Sequence, residues 1–137
     1  FERHGGPSVV VDFGTSTNFD VVSEKGEFLG GALAPGIEIS LDALANRAAQ
    51  LRKVEFVKPR SVIGKNTVEA LQSGALYGFA GQVDGILQRI IAEIGPVQAV
   101  VATGGLAPLV VEESSTITHH EPDLTLEGLR LVFEKNK

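Results

Sequence analysis

Apolar residues along this chain change their period several times, and each change marks an element. Ser8 to Asp12 is an apolar run that ends on an acid, with Asn18 to Val22 and Phe28 to Ala34 following at short intervals. The turn-formers Thr15-Ser16-Thr17 and Glu24-Lys25-Gly26 separate them, which predicts a three-stranded meander. After Pro35-Gly36 the period lengthens. Ile37, Leu41, Leu44, Ala48 and Leu51 recur every three or four residues, the spacing of one helical face, so a first helix follows the meander directly. Lys53 to Pro59 reads as an extended connector with a short strand at Val54 to Val57.

Gly64-Lys65-Asn66-Thr67 then leads into a long helix, with Asn66 or Thr67 as its cap and Glu69 placing early negative charge at the positive end of the helix dipole. Its apolar stripe is Val68, Leu71, Ala75, Phe79, Val83, Ile86, Ile90 and Ile94. A second stripe, Gly74, Gly78, Gly81 and Gly85, repeats at four, three and four. Interior glycines cost about 0.5–1 kcal/mol each relative to Ala, so a helix that keeps these needs another backbone against that face. The alternative is a helix broken near Tyr77-Gly78-Phe79-Ala80-Gly81. Val97 to Ala102 is a buried strand that runs into Thr103-Gly104-Gly105 and a short helix over Ala107 to Glu113. A last strand over Ser115 to His119 and a closing helix over Leu124 to Lys135, capped by Asp123 or Thr125, complete the series. Three meandering strands followed by crossovers predict an α/β fold with a mixed sheet covered by helices.

Composition narrows the class. At 137 residues the chain fits one domain over 1–137, long enough to bury about two-thirds of its unfolded surface. The net charge of −5 is spread without basic blocks, which argues against nucleic acid as a partner. No apolar run approaches the roughly 18 residues of a membrane span, and the absence of cysteine suits a cytoplasmic protein. Methionine is also absent, which reads as a processed, truncated or designed piece.

Candidate chemistry gathers at strand ends, where ligands bind in open α/β sheets. In Asp12-Phe13-Gly14-Thr15-Ser16-Thr17 the glycine lets backbone approach an anion, while hydroxyls and successive N–H groups can wrap a phosphate. Asp12 could then orient a hydrated cation, because carboxylate oxygen suits Mg²⁺ or K⁺. The plain alternative is a hairpin turn in which Asp12 caps local N–H groups. Ala102-Thr103-Gly104-Gly105 shares the geometry and suits a nucleotide's sugar or phosphate at a helix start. Gly30-Gly31, inside a strand, points to close backbone approach by a ligand or by a neighbouring strand. His119-His120 with Glu121 and Asp123 makes a poor metal cluster, since adjacent strand residues point to opposite faces. Of the basic residues Arg47, Arg52, Lys53, Lys58 and Arg60, most are expected in solvent, and Arg47 is kept as an anion or substrate contact. Lys65 lacks the upstream glycine spacing of a P-loop.

Taken in order, Asp12-Phe13-Gly14-Thr15-Ser16-Thr17 with Asp20, Gly30-Gly31-Ala32-Leu33-Ala34-Pro35-Gly36, Gly64-Lys65-Asn66-Thr67 and Ala102-Thr103-Gly104-Gly105 resemble the C-terminal half of type III pantothenate kinases. The likeness covers nearly the whole chain. It implies a single ribonuclease-H-like lobe of the acetate kinase, hexokinase and actin superfamily: a three-stranded antiparallel meander extended by parallel strands, with helices on both faces. It also implies phosphoryl transfer from ATP to pantothenate, the first step of coenzyme A synthesis, with Mg²⁺ and a monovalent cation such as K⁺. By position, Asp12, Gly14, Thr15, Ser16 and Thr17 would form a phosphate loop, with Asp12 near the monovalent cation. Thr103, Gly104 and Gly105 would meet the adenosine, and Gly30, Gly31, Pro35 and Gly36 would border the pantothenate pocket. The Gly74–Gly85 helix would form a homodimer interface. The Asp-x-Gly-Asn-Thr and Gly-x-Asp-Arg segments of the family's other half are not in this chain, and Ala48 stands where many members carry Thr. Two expectations follow: a lobe inactive until joined by an N-terminal half, or a stand-alone ancestor-like module that self-associates.

Overall fold

The computed structural model describes residues 1–48 and 51–137. Five strands form one mixed sheet: β1 (Ser8–Phe13), β2 (Ser16–Val22), β3 (Phe28–Pro35), β4 (Ala99–Thr103) and β5 (His119–His120). The helices are α1 (Ile37–Arg47), α2 (Thr67–Ile94), α3 (Ala107–Glu113) and α4 (Leu124–Lys135). The sheet order is β3-β2-β1-β4-β5. The meander pairs antiparallel, while β4 joins β1 in parallel and β5 joins β4 in parallel. This is the expected α/β arrangement of a meander extended by parallel strands.

Alternation along the strands decides which face is the core. Val9, Val11 and Phe13 pair with Val21, Phe19 and Thr17, and Val9 and Val11 with Val100 and Ala102, so one face is continuously buried. On it pack Ile37 and Leu41 of α1, Ala75, Ala80, Val83 and Leu87 of α2, and Ala107 and Val110 of α3. Among the described residues the opposite face is covered beside β1 and β4, where Val10 and Val101 line a cavity of about 320 Å³ together with Leu124, Gly128 and Leu131 of α4. Helices therefore lie on both faces, three on one and one on the other.

The long helix α2 is unbroken. Asn66 caps it by accepting the Glu69 N–H at 2.9 Å, while Glu69 accepts the Lys65 N–H at 2.8 Å. Those bonds, the Lys65 N–H first and then the Arg60 guanidinium, hold the Glu69 carboxyl below its ordinary value. Its deepest residues include Leu76 and Leu87, just outside the expected stripe. A Cβ built at Gly74, Gly78 or Gly81 meets nothing within 4 Å, so among the described residues no backbone packs closely on these glycines. The opposite side of the helix packs on the core through Ala75, Leu76, Ala80, Val83 and Leu87.

Three expected elements differ. α1 ends at Arg47, because Ala48 turns extended; positions 49–50 of the expected helix lie outside the described residues. Val54 to Val57 forms no strand: Val54 is buried, and the Val57 N–H turns back to the Glu55 carbonyl, so no sheet edge is reached. The last strand is only His119–His120, because the Ser114 hydroxyl takes the Thr116 and Ile117 N–H groups and the Thr118 hydroxyl takes the Val100 N–H. Ser114 is itself fixed by Asp84, whose carboxyl burial pushes up but bonds from Ser114 and Ser115 bring below its ordinary value.

Candidate functional site

The register places four side chains in one row across the open face, since Leu33 pairs with Asn18, Asn18 with Asp12, and Asp12 with Thr103. Neighbouring strands lie about 4.8 Å apart, so the row spans roughly 14 Å at the ends of the parallel strands β1 and β4. Next to it the exposed pair Gly14-Thr15 links β1 to β2, closed by the Gly14 N–H donating to the Ser16 carbonyl at 3.1 Å.

Two glycines draw other segments onto this turn. Gly104 has φ +99°, and a Cβ there would lie 2.5 Å from the Phe13 carbonyl oxygen and 2.8 Å from Asp12 Oδ1. Only glycine lets the strand-to-helix turn after β4 come so close to the end of β1. Gly36, the N-cap of α1, sits against the carbonyls of Gly14 and Thr15, again leaving no room for a side chain. It offers no side-chain cap, so the positive end of α1 meets the turn with its first N–H groups unclaimed by a cap side chain. Two segments distant in sequence thus converge on Asp12-Phe13-Gly14-Thr15-Ser16.

The remaining candidates sort by position. The Ser16 hydroxyl donates to Asn18 Oδ1 at 2.8 Å, a residue the sequence argument passed over although its alternation with Asp12 and Asp20 marks it as facing the same way. Thr17 is fully buried on the core side, its hydroxyl donating to the Pro35 carbonyl at 3.4 Å, so it fastens β2 to β3 beneath the turn. Thr103 is buried beside Asp12, and Gly105 is exposed at the start of the loop into α3. Pro35 closes β3 next to the turn, whereas Gly30-Gly31 lie about five residues back, roughly 16 Å along the strand. Gly31 is pressed by the Phe19 carbonyl of β2, so the close approach is that of a neighbouring strand. Gly30 and Gly31 line a separate hollow of about 520 Å³ with Ile90, Glu93 and Ile94. Arg47 is exposed at the far end of α1, roughly 16 Å from Gly36. Lys53, Lys58 and Arg60 form ion pairs with Glu38 and Asp42, with Glu113 and with Glu69, so they are balanced at the surface and form no basic patch.

Among the described residues no hydrogen bond or ion pair engages the Asp12 carboxylate, which stays half-buried beside the Phe13 carbonyl. Such hard oxygen donors fit Mg²⁺ or K⁺. No group of three or more His, Asp or Glu side chains among the described residues is placed to hold a metal ion, and the His119 ring lies tilted by 41° against that of His4, with centroids 4.3 Å apart. No helix among the described residues is long and apolar enough to cross a membrane.

Comparison with known proteins puts this geometry in context. A crystal structure of a conserved Campylobacter jejuni protein, described as a Baf family transcriptional activator, superposes with a TM-score of 0.63 at 20% identity. It covers 99% of this chain and 60% of that one, which shows a shared fold. The chain is 71% identical over 136 residues to a type III pantothenate kinase of Salinispora arenicola, covering 99% of this chain and 54% of that protein. It is 73% identical over 137 residues to one of Saccharopolyspora erythraea, covering 97% of this chain and 52% of that protein. The chain spans about half the length of the curated relatives it matches. With the family model for type III pantothenate kinase matching residues 1–89, the chain belongs to the type III pantothenate kinase family.

Proposed function

We propose that residues 1–137 are the C-terminal, ribonuclease-H-like lobe of a cytoplasmic pantothenate kinase, of the kind that actin-like ATPases use in pairs. The lobe supplies the ATP side of phosphoryl transfer to pantothenate and is inactive until an N-terminal half closes the cleft. The observation that carries this reading is the convergence of Gly36 and Gly104 on the turn after Asp12. Phosphoryl transfer depends on positioning and on neutralising charge, and this turn has the parts. Thr15 is exposed, with its hydroxyl free to donate to a phosphate oxygen. The first N–H groups of α1 add positive potential at the same place. Thr103, Gly104 and Gly105 face the nucleoside side, while Pro35 and Gly36 border the acceptor side. Gly30, Gly31 and Arg47 lie farther off and contribute to pantothenate binding only if the acceptor extends along β3 and α1.

Asp12 would hold the monovalent cation or a Mg²⁺ water, and such an ion, when bound, supplies the positive charge that a transferring phosphoryl group needs. The chain's own part is to keep the Asp12 carboxylate aimed at the turn, which the packing of Gly104 against it achieves. The exposed glycine face of α2, where a Cβ at Gly74, Gly78 or Gly81 would meet nothing within 4 Å among the described residues, supports homodimerisation there. The test is reconstitution. Adding a separately produced N-terminal half of a relative should restore pantothenate-dependent ADP release, and Asp12→Ala should cut that rate at least tenfold. No recovery with a folded, associated pair would overturn the reading.

A further inference from the structure

The edge strand β3 lacks the usual guards. It stands at the end of the sheet order and pairs with β2, so among the described residues the backbone groups along its outer side have no strand partner. Sheet edges are ordinarily blunted by charged side chains, by proline within the strand or by brevity. β3 runs for eight residues with no charged side chain, and its one proline is the last of them. Phe28 and Leu33 on it are 70% and 75% exposed.

A groove follows that edge. The register shift between Val21 and Val22 leaves Leu29 without a partner across the ladder, and a Cβ built at Gly30, where φ is +110°, meets nothing within 4 Å. The space left between β3 and the C-terminal turns of α2 is the hollow of about 520 Å³ walled by Leu29, Gly30, Ile90, Glu93 and Ile94. A second hollow of about 290 Å³ shares Leu29 and Ile94 with it and adds Glu24, Lys25 and Glu27. The two run together as a groove with apolar walls, a strand edge on one side and a helix on the other. Such an edge takes an extended peptide as an added strand, with main-chain hydrogen bonds giving affinity and hollows for alternate side chains giving specificity.

The charge at the rim says which peptide. Glu24 and Glu93 are exposed, and no ion pair among the described residues engages either. With Glu27 they set three carboxylates against Lys25. We propose that β3 is a docking edge for an extended segment of another protein, apolar at alternate positions and basic at its ends, which pairs with the strand and lays its apolar side chains against Leu29, Ile90 and Ile94. A second copy of this chain is the poorer occupant, because pairing two β3 edges brings two such acidic rims to one seam, and like charges across an interface are costly.

The test titrates the chain with the dye-labelled peptide Ac-KVTVTVK-amide and with its acidic counterpart Ac-EVTVTVE-amide, and follows amide hydrogen exchange at saturation. The basic peptide should bind saturably, the acidic one at least tenfold more weakly, and outward-facing amides within 28–33 should exchange at least tenfold more slowly in the complex. Glu24→Lys with Glu93→Lys should weaken binding of the basic peptide at least tenfold at unchanged melting temperature. Glu55→Lys with Glu112→Lys makes the same change in net charge away from the groove and should leave binding within about twofold. Absence of saturable binding, equal affinity for the two peptides, equal losses in the two double variants or protection outside 28–33 would each overturn the proposal. So would β3 amides already slow in the unliganded chain and quickened by dilution, which would assign the edge to a second copy.

Discussion

The two faces of the sheet are finished to different degrees. On one, Val9, Val11, Phe13, Phe19, Val100 and Ala102 are sealed under α1, α2 and α3, with every one of these side chains essentially inaccessible. On the other, Asp12, Asn18, Asp20 and Leu33 lie partly or wholly open, and α4 shields only the β1–β4 side. The sealed face supplies rigidity, and the open face keeps polar groups and backbone available at strand ends. A site held to a fraction of an ångström needs such a division, because the rigid layer positions groups that the fold does not itself consume.

The division breaks most visibly from the sealed side. Phe19→Ala removes a fully buried ring between β1 and β3 and should cost about 3–5 kcal/mol in denaturant melts. Gly104→Ala tests the seam between the faces, since its Cβ meets the Phe13 carbonyl and the Asp12 carboxylate at a positive φ. It should cost about 1–3 kcal/mol and displace Asp12, so that ATP binding falls further than stability.

A pH titration sharpens the open side. Burial pushes the Glu121 carboxyl up, but bonds from His4 and Arg3 outweigh it and hold the group below its ordinary 4.5. A carboxylate with a lowered folded pKa stabilises above its unfolded value and loses that contribution as pH falls through the folded one. Melting temperature should therefore drop below pH 4.5 more steeply in the unmodified chain than in Glu121→Gln. The smallest effect is expected at Leu33, 75% exposed on the open face, where Leu33→Ser should change stability by no more than about 0.5 kcal/mol.

Much of this was legible in the sequence because the signals are local. Alternation and turn residues give the meander, and the Asn66 and Glu69 pair marks the start of α2. The acid-glycine-hydroxyl turn declares itself in six residues. What was not legible depends on tertiary contact. Nothing in Arg47-Ala48-Ala49-Gln50 announces the end of α1, since these residues favour helix. The expected strand at Val54 to Val57 has the right residues and no partner edge, and the one at Ser115 to His119 loses its backbone donors to neighbouring hydroxyls. The stripe read along α2 missed Leu76 and Leu87, because its buried face is wider than one line of residues. That Gly36 and Gly104, about 70 residues apart in the chain, meet the same turn is likewise a property of the fold alone.

The central claim is that the turn after Asp12 holds the phosphates of ATP. Calorimetric titration of the reconstituted two-half protein with ATP, Mg²⁺ and K⁺, repeated with Thr15→Val, tests it most directly. The account predicts saturable binding that the substitution weakens at least tenfold, about 1.4 kcal/mol, with the melting temperature unchanged. Equal affinity in the two proteins would contradict it.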